Sequence, residues 1–393
     1  MSEWKKVKLG DLYTVHNGLS KGRKFFGKGF PFLSFTTVFN HYFIPDRLDS
    51  LVLSTEKERE ACSIRRGDVF ITRTSETMDE LGMSCVALKD YPNATYNGFT
   101  KRLRPITEEE TLPEFIGYYL RSPQFRGKFM AFSAMTTRAS LANDQLLSME
   151  ICYPNMDQQR KIAYILSRYD SLISNYQRQI KLLEEAAQRL YKEWFVNLHF
   201  PGYENTKIVD GVPEGWRKGT LSSISEFRRG KTITKKEIKE GTVPVVAGGL
   251  TPAYYTNTSN TGNRVITISA SGANAGYTRL YYQNIWASDC SFVDASMTKY
   301  LYYVYCFLKV NKSLIDNLQK GAAQPHVYPK DINALEIIIP SQKILDSTEE
   351  ILSSMFEEIS QIDAQIHLLI EARDRLLPKL MSGEIEVYVT RLF

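Results

Sequence analysis

An internal repeat that covers both halves of the chain constrains its fold more than any other feature. Three residues near the start recur 212 positions later: Trp4, Leu9 and Gly18 return as Trp216, Leu221 and Gly230. A second set recurs 186 positions later: Glu150, Ile151 and Pro154 return as Glu336, Ile337 and Pro340. The shift changes only between the two sets, so the second copy has the same ends and a middle that is 26 residues shorter. Such self-similarity predicts two domains of one fold.

Each copy ends in a stretch whose apolar residues recur alternately every three and four positions. The residues expected to pack helix on helix are Ile162, Leu166, Tyr169, Ile173, Ile180, Leu183 and Leu190 in the first copy, and Leu352, Met355, Ile359, Ile362, Ile366, Leu369 and Leu376 in the second. A mean period of 3.5 residues is that of a left-handed coiled coil. A helix buried in an ordinary core is the alternative. The length of both series of apolar residues, which we call ladders, favours an extended helix pair. Arg373 interrupts the second ladder at one position.

Capping and helix-breaking residues place the expected boundaries. Asn155 and Ser341 are candidate N-caps, and Pro201, Pro378 and Gly383 are candidate stops. The predicted divisions are a first domain at 1–153, a first spacer helix at 154–199, a linker at 200–215, a second domain at 216–339, a second spacer helix at 340–383 and a tail at 384–393.

The middles of both copies indicate an α+β fold. Runs of β-branched and apolar residues predict strands at 68–73 and 84–88 in the first copy and at 264–268 in the second. Helices are expected to follow, opened by Thr111 and by Ser296 as N-caps. The fold class predicted from these patterns is α+β, with two domains related by duplication and joined by two long helices.

Composition narrows the class of protein. The chain has no run of about 18 apolar residues, which argues against a membrane-spanning helix. Its start lacks the apolar segment of a secretory signal. Five scattered cysteines without a C-x-x-C pair argue against a zinc finger and fit a reducing cytoplasm, where we expect the protein to be located. The formal net charge of +5 is compatible with an acidic partner such as nucleic acid.

The motifs of nucleotide- and DNA-modifying enzymes are missing. No [N/D]-P-P-[aromatic] tetrapeptide of an adenine methyltransferase occurs, and a phosphate-binding loop ending at Gly230-Lys231-Thr232 would need glycine where Ser225 stands. Asp289, Asp294 and Lys299 could form a nuclease-like cluster, but scattered carboxylates usually lie on solvated surfaces. The five histidines are too dispersed for a zinc site. We therefore expect no catalytic residue, metal or cofactor, while a self-contained methyltransferase or nuclease with an unrecognised site is the alternative.

Several short segments together resemble one family, the specificity (S) subunits of type I restriction-modification systems. They are residues 4–12 at the start, Gly67-Asp68-Val69, the run 158–162 that opens the first spacer helix, 211–216 at the start of the second copy, and 375–385 near the end. Their order and the duplication carry the resemblance, which covers essentially the whole chain. The second copy departs from the pattern at Gly262-Asn263 and at Ser341-Gln342-Lys343.

This resemblance implies an architecture and a set of partners. It implies two target-recognition domains, each reading one half of a bipartite double-stranded DNA target, and two spacer helices packed antiparallel. It implies two modification subunits that bring S-adenosylmethionine and methylate adenine, and restriction subunits that join them as an ATP- and magnesium-dependent nuclease. The chain itself would be non-catalytic and bind no cofactor.

Residues for DNA contact are expected in polar and basic loops, since Lys and Arg bind phosphates and Arg, Asn, Gln, Ser and Thr read base edges. In the first copy the candidates are Lys21, Arg23, Lys24, Arg73, Thr136, Thr137 and Arg138. In the second copy they are Arg228, Arg229, Lys231, Lys235, Lys236, Gln324 and His326. A solvated loop charge is the alternative for each. The glycine-rich segment 269–276 fits either a close backbone approach to DNA or a tight strand turn.

The matching ladders also predict how half of the chain would behave. A chain truncated near Phe200 would expose its apolar stripe, and two copies could cover the stripe by pairing with each other.

Overall fold

The computed structural model describes residues 4–73, 81–133, 142–321 and 324–387. The chain divides into two compact units: unit 1 comprises Met1–Ser174 with His367–Phe393, and unit 2 comprises Asn175–Ile366. Both divisions fall within long helices. Each unit therefore contains one α+β domain together with a segment of each long helix.

Unit 1 is built from nine short strands and six short helices among its described residues, before the first long helix. The strands are β1 Lys5–Lys8, β2 Tyr13–Asn17, β3 Phe26–Leu33, β4 Leu51–Val52, β5 Val69–Thr72, β6 Ser84–Val86, β7 Thr95–Tyr96, β8 Thr100–Pro105 and β9 Glu150–Tyr153. The helices are α1 Leu9–Leu12, α2 Phe35–Asn40, α3 Glu56–Ala61, α4 Pro113–Tyr119, α5 Pro123–Ser133 and α6 Asn143–Ser148.

The first long helix, α7, spans Met156–Tyr191 and continues into a π-helical turn at Lys192–Val196. The strands that follow are β10 Ile208–Val209, β11 Val212–Pro213, β12 Arg217–Thr220, β13 Arg228–Arg229, β14 Val243–Val246, β15 Tyr254–Thr256, β16 Val265–Ser269, β17 Thr278–Tyr281, β18 Trp286–Ala287, β19 Cys290–Asp294 and β20 Glu336–Ile339. The helices are α8 Leu301–Val310, α9 Lys312–Asp316, α10 Pro329–Asn333 and the second long helix, α11 Gln342–Ser382.

The two domains share one sheet topology, which confirms the α+β class and the duplication. The strand order β2-β8-β5-β6 of unit 1 matches β13-β19-β16-β17 of unit 2. A three-stranded sheet, β4-β3-β7, matches β15-β14-β18, and in both sheets the last pair is parallel. A two-stranded sheet, β1-β9, matches β12-β20.

The repeated glycines occupy equivalent places in these sheets. Gly18 follows β2 and donates its N–H to the Thr100 carbonyl at 3.3 Å, while Gly230 follows β13 and donates to the Cys290 carbonyl at 2.8 Å. A Cβ atom at position 18 would lie 2.1 Å from the Asn97 carbonyl oxygen, and one at position 230 would lie 2.4 Å from that of Ser288. The close approach of two backbone segments thus requires glycine in both copies.

Replacing Gly230 by Ala is expected to lower the free energy of unfolding by about 3 kcal/mol. The added methyl group would overlap backbone atoms, which cannot rotate away as the end of a side chain can. Urea unfolding of the purified chain measures the change. Gly22→Ala is the matched control, since a Cβ atom there meets nothing within 4 Å. Equal stability of both variants would contradict the steric explanation.

The long helices pack antiparallel in each unit. In unit 1, Ile162 and Leu166 near the start of α7 share a core with Leu377 and Leu380 near the end of α11. In unit 2, Ala187 and Tyr191 at the end of α7 share a core with Leu352 and Phe356 near the start of α11. The helix pair is therefore part of the core of both domains.

The predicted stripe residues are all at least partly buried. Seven are buried: Ile162, Leu166, Ile173, Leu352, Ile359, Ile362 and Ile366. The other seven are half-buried: Tyr169, Ile180, Leu183, Leu190, Met355, Leu369 and Leu376.

Three local predictions were wrong. Pro378 does not end the second helix but lies inside α11, which continues to Ser382 and is followed by Gly383 at φ +74°. Buried Leu377 and Leu380 on either side of the proline hold the last turns in the core, and this packing offsets the lost backbone hydrogen bond.

The other two wrong predictions concern helix starts. Helix α4 is preceded by Leu112, one residue beyond Thr111, whose hydroxyl instead contacts the Tyr13 hydroxyl at 2.9 Å. Helix α8 begins at Leu301, and Ser296 instead donates to Asp294 in the turn after β19. At both starts the backbone N–H groups donate to side chains distant in the sequence: Leu112 donates to Gln159, and Tyr302 and Tyr303 donate to Glu349. Asn155 does cap α7, because its Oδ1 accepts from the Gln158 N–H at 3.0 Å.

Candidate nucleic-acid interface

At one end of its strands, the four-stranded sheet of unit 2 carries two of the five basic candidates, Arg229 and Lys231, together with His326. At this end of the sheet β13 and β16 end while β19 and β17 begin, because neighbouring strands run antiparallel. We call the residues at these strand ends and their loops rim 2. Rim 2 contains Arg229 at the end of β13, Lys231 after it, the loop 270–277 between β16 and β17, and Asp289 before β19.

A polar network holds Arg229 in place. Its Nη2 donates to Asp289 Oδ1 at 2.5 Å, and the Ser271 hydroxyl donates to the other oxygen of the same carboxylate. The Arg229 side chain is still 45% exposed. The network fixes one edge of the guanidinium and leaves the rest of this planar five-donor group available to a ligand.

The candidate His326 joins the same rim. Its backbone exchanges hydrogen bonds with Lys320, at 2.8 and 2.9 Å, and bridges to Ser271. Gly272 donates its N–H to the Pro325 carbonyl at 3.1 Å, so the segment carrying Gln324 and His326 lies against the glycine-rich loop. Gln324 is exposed. The glycine-rich loop is a tight strand connection that also presents backbone at the rim.

The remaining basic candidates of unit 2 are exposed. Lys231 is anchored by its backbone, since its N–H donates to Ala287 at 2.9 Å and its carbonyl accepts from the Trp286 ring N–H at 2.7 Å. Arg228, Lys235 and Lys236 are exposed as well. The backbone of this segment is held by hydrogen bonds, and its cationic side chains are exposed. This arrangement suits contact with phosphate groups.

The equivalent strand ends of unit 1, which we call rim 1, have the same strand arrangement as rim 2 but carry different side chains. Asn17 ends β2 where Arg229 ends β13, and Phe99 precedes β8 where Asp289 precedes β19. Asn17 is exposed, and Phe99 is 59% exposed. The ion pair of rim 2 therefore has no counterpart at these positions of rim 1.

Two cations lie together on rim 1. Arg73 follows β5, is half-buried, and donates its N–H to the Phe99 carbonyl at 3.0 Å. Lys101 in β8 is buried, and its ammonium donates to Asn143. Burial first, and then the charge of Arg73, lower the pKa of Lys101. Two neighbouring cations in this setting favour the binding of an anion.

The candidates of the 21–24 segment differ among themselves. Lys21 forms an ion pair with Glu58 at 2.7 Å and donates to the Leu53 carbonyl at 2.9 Å, and its side chain is only 13% exposed. Arg23 and Lys24 are exposed. Lys21 thus stabilises its loop, which leaves two cations of this segment for a ligand. Thr136, Thr137 and Arg138 lie outside the described residues.

The alternative nuclease-like cluster is not assembled. Asp289 precedes β19 and Asp294 ends it, so the two carboxylates lie at opposite ends of one strand, roughly 16 Å apart at about 3.3 Å per residue. Asp294 instead accepts from the Gly262 N–H at 2.7 Å and from Ser296. Among the described residues, no group of three His, Cys, Asp or Glu side chains is placed to hold a metal ion.

Sequence reasoning missed two residues of these rims. The sequence places Asp289 only in a nuclease-like cluster, although its carboxylate positions Arg229, and the sequence does not indicate Lys101. Lys101 lies in the run Thr-Lys-Arg-Leu-Arg, where it shares a strand face with Leu103 and not with Arg102 and Arg104. The alternation of this strand therefore carries no signal that singles out Lys101. No helix in the described part of the chain is long and apolar enough to span a membrane.

Comparison with known proteins assigns the family. The model of the type I restriction modification DNA specificity domain matches twice, at residues 1–185 and 213–372. These two matches correspond to the two copies found in the sequence and in the sheet topology.

Two curated relatives and one solved structure extend over nearly the whole chain. The type I restriction enzyme MjaIX specificity subunit of Methanocaldococcus jannaschii is 26% identical over 98% of this chain and 94% of its own length. The HindI specificity subunit of Haemophilus influenzae is 24% identical over 98% of this chain and 100% of its own length. The crystal structure of the S subunit from M. genitalium has a TM-score of 0.58 at 17% identity, covering 99% of this chain and 97% of that one, and so shares the fold. The chain therefore belongs to the family of type I restriction-modification DNA specificity proteins, with one specificity domain in each half.

Proposed function

We propose that this chain is the non-catalytic subunit that selects the DNA target of a type I restriction-modification complex. Each domain reads one half of a bipartite double-stranded target with its rim, and partner subunits carry out adenine methylation or cleavage. The observation that carries this proposal is the pair of rims, which share one strand frame and differ in the side chains they present.

The side chains at equivalent rim positions suit different bases. An arginine whose guanidinium is held in a plane matches the O6 and N7 acceptors of guanine, and asparagine matches N6 and N7 of adenine. Arg229 and Asn17 occupy matching strand ends. The two half-sites would accordingly differ in sequence, which a target without twofold symmetry requires.

Each long helix carries an exposed leucine at an equivalent position. Leu182 on α7 is 55% exposed, and Leu368, its equivalent at the 186-residue shift on α11, is 65% exposed. In this proposal these two equivalent positions belong to two like contact sites. Two modification subunits fit these sites, and restriction subunits would join that complex.

The cofactors of the reaction belong to the partners in this proposal. S-adenosylmethionine would be bound by the modification subunits, and ATP and magnesium by the restriction subunits. A cytoplasmic location follows because the DNA and these partners are there. A self-contained methyltransferase or nuclease is not favoured, since the family match accounts for both halves as specificity domains.

Genome sequencing that detects N6-methyladenine tests the proposal directly. Cells expressing the modification subunits with this chain should carry methylated adenines in one bipartite motif, and cells lacking only this chain should not. The purified chain with S-adenosylmethionine alone should transfer no methyl group. Methylation by the isolated chain, or a motif that persists without it, would contradict the proposal.

A substitution at Arg229 should change the motif rather than abolish methylation. Arg229→Ala is expected to relax one position of the second half-site from guanine to any base, since one bidentate contact supplies about 1–3 kcal/mol of discrimination. Arg229→Lys keeps the charge but loses the planar fork, so it should relax the same position. Arg228→Ala is the control and should weaken binding without altering the motif. Unchanged motifs in both Arg229 variants would assign Arg229 to phosphate contact.

A further inference from the structure

The position where Arg373 interrupts the apolar ladder contains an ion pair in unit 1. Arg373 Nη1 on α11 donates to Asp170 Oδ1 on α7 at 2.6 Å, and the Tyr118 hydroxyl donates to the other Asp170 oxygen at 2.5 Å. The exposed fractions of the two side chains are 15% for Arg373 and 29% for Asp170. This contact is thus largely shielded from water and lies between the two long helices.

The equivalent positions in unit 2 are apolar. At the 186-residue shift, Arg373 corresponds to Ala187 and Asp170 corresponds to Phe356. Ala187 is fully buried and Phe356 is 2% exposed, and both belong to the core of unit 2. Phe356 also stacks on Tyr302, with ring centroids 4.8 Å apart and an interplanar angle of 8°. By the internal repeat, a small and a large apolar residue take the places that two opposite charges occupy in unit 1.

These two contacts are compatible only when unlike helices pair. If α7 paired antiparallel with a second copy of α7 in the same register, Asp170 of each copy would face Ala187 of the other. Two shielded carboxylates would then have no cation beside them. If α11 paired antiparallel with a second α11, the guanidinium of each Arg373 would face Phe356 of the other copy. It would lose Asp170 and keep only Asp374 of its own helix, at 2.9 Å, as an ion partner. Removing one partner of a shielded ion pair is strongly unfavourable because the remaining charge stays desolvated.

We propose that the Asp170–Arg373 contact, set against Ala187 and Phe356, makes the first half of the chain select the second half as its helix partner and reject a second copy of itself. Specificity of this kind arises from repulsion in the wrong pairings as well as attraction in the right one. The proposal goes beyond reading of DNA and does not depend on it. It modifies the expectation, drawn from the matching ladders alone, that a truncated first half would pair with its own copy.

The test starts from the intact chain with a protease site inserted between Asp210 and Gly211. Both residues are exposed and have positive φ in the turn between β10 and β11, where an insertion disturbs no core contact. After cleavage of the folded protein, the two pieces are separated in urea, mixed in equal amounts and refolded. Native mass spectrometry then distinguishes the complex of unlike pieces from either homodimer by mass.

The unaltered pieces should re-form the complex of unlike pieces in roughly 100-fold excess over either homodimer, because each homodimer contains two mismatched contacts. Asp170→Phe should allow the first piece to form homodimers, since the introduced phenylalanine would then take the place that Phe356 has in the core with Ala187. Arg373→Ala should do the same for the second piece. Glu185→Phe is the matched control, because Glu185 is exposed on α7 and should leave the distribution unchanged.

Homodimers of the unaltered pieces as abundant as the mixed complex would overturn the proposal, as would an Asp170→Phe piece that refolds into the mixed complex alone. A second measurement covers variants that refold poorly. In the uncut chain, Asp170→Phe combined with Arg373→Ala recreates the apolar match of unit 2, so its melting temperature should exceed that of Arg373→Ala alone. A double variant no more stable than the single one would show that the two positions do not form a matched pair.

Discussion

Replacing Lys231, Lys235 and Lys236 together by Ala is expected to weaken DNA binding by the complex about 100-fold at 0.15 M salt. Each lost phosphate contact reduces the slope of log affinity against log salt by about 0.9, so three contacts reduce it by about 2.7. All three side chains are exposed, and the segment that carries them is anchored through the backbone of Lys231. Titrations of labelled duplex at several salt concentrations measure both quantities.

The 21–24 segment of unit 1 provides a comparison within the same chain. Replacing Lys21, Arg23 and Lys24 by Ala should reduce the slope by only about 1.8, because Lys21 is already paired with Glu58 and contributes no phosphate contact. Lys343→Ala, an exposed lysine at the start of α11, should leave the slope unchanged. If the triple variant of unit 2 kept the original slope, its lysines would be solvated loop charges.

A partly buried carboxylate in unit 2 should make the stability of the protein depend on pH. Glu349 on α11 accepts the backbone N–H groups of Tyr302 and Tyr303 at 3.0 and 2.9 Å, at the start of α8. Burial raises the pKa of Glu349 to about 7, and the two N–H donors oppose this rise only in part. The folded state therefore holds a proton on Glu349 at pH values where the unfolded chain has lost it.

The sign of the effect follows from this raised pKa. The contribution of Glu349 is fully present below its unfolded pKa near 4.5, falls as the pH rises, and is lost above about 7. A shift of this size corresponds to about 3 kcal/mol in the free energy of unfolding. Glu349→Gln should remove this dependence and leave the protein more stable than the unaltered chain at pH 8, while at pH 5 the two should be similar.

Urea unfolding at pH 5, 6, 7 and 8 checks this prediction. Glu350→Gln is the control, because Glu350 is the next residue along α11 and its side chain is exposed. The control should follow the unaltered chain at every pH. A Glu349→Gln variant with the same pH profile as the unaltered chain would show that the carboxylate remains ionised in the fold.

Local pattern predicted much of the architecture. The 3.5-residue period identified both long helices, since such a period leaves one continuous apolar stripe that must be covered. The constant shifts identified the duplication that the matching strand orders confirm. Helix ends were less accessible. Pro378 has a strong local preference to stop a helix, and it was overridden because Leu377 and Leu380 are buried in a core formed with residues distant in the sequence.

In the rims too, the local sequence identifies the charged residues, and contacts between residues distant in the sequence decide which of them are paired. Lys21 and Lys231 are equally cationic in the sequence, each a few residues beyond the end of a strand, and only the folded chain pairs Lys21 with Glu58 and leaves Lys231 exposed. Asp289 likewise becomes a partner of Arg229 because β13 and β19 are neighbours in a sheet, although 60 residues separate the two side chains.

The sequence by itself determined the two-copy plan, the helix pair and the family, because each depends on residue spacing along the chain. Only the tertiary structure decided which cations are available to DNA and which ion pair distinguishes the two halves of the helix pair. Coulomb interactions depend on distance in space and on the surrounding dielectric. Both are set by strand pairing and helix packing between distant residues.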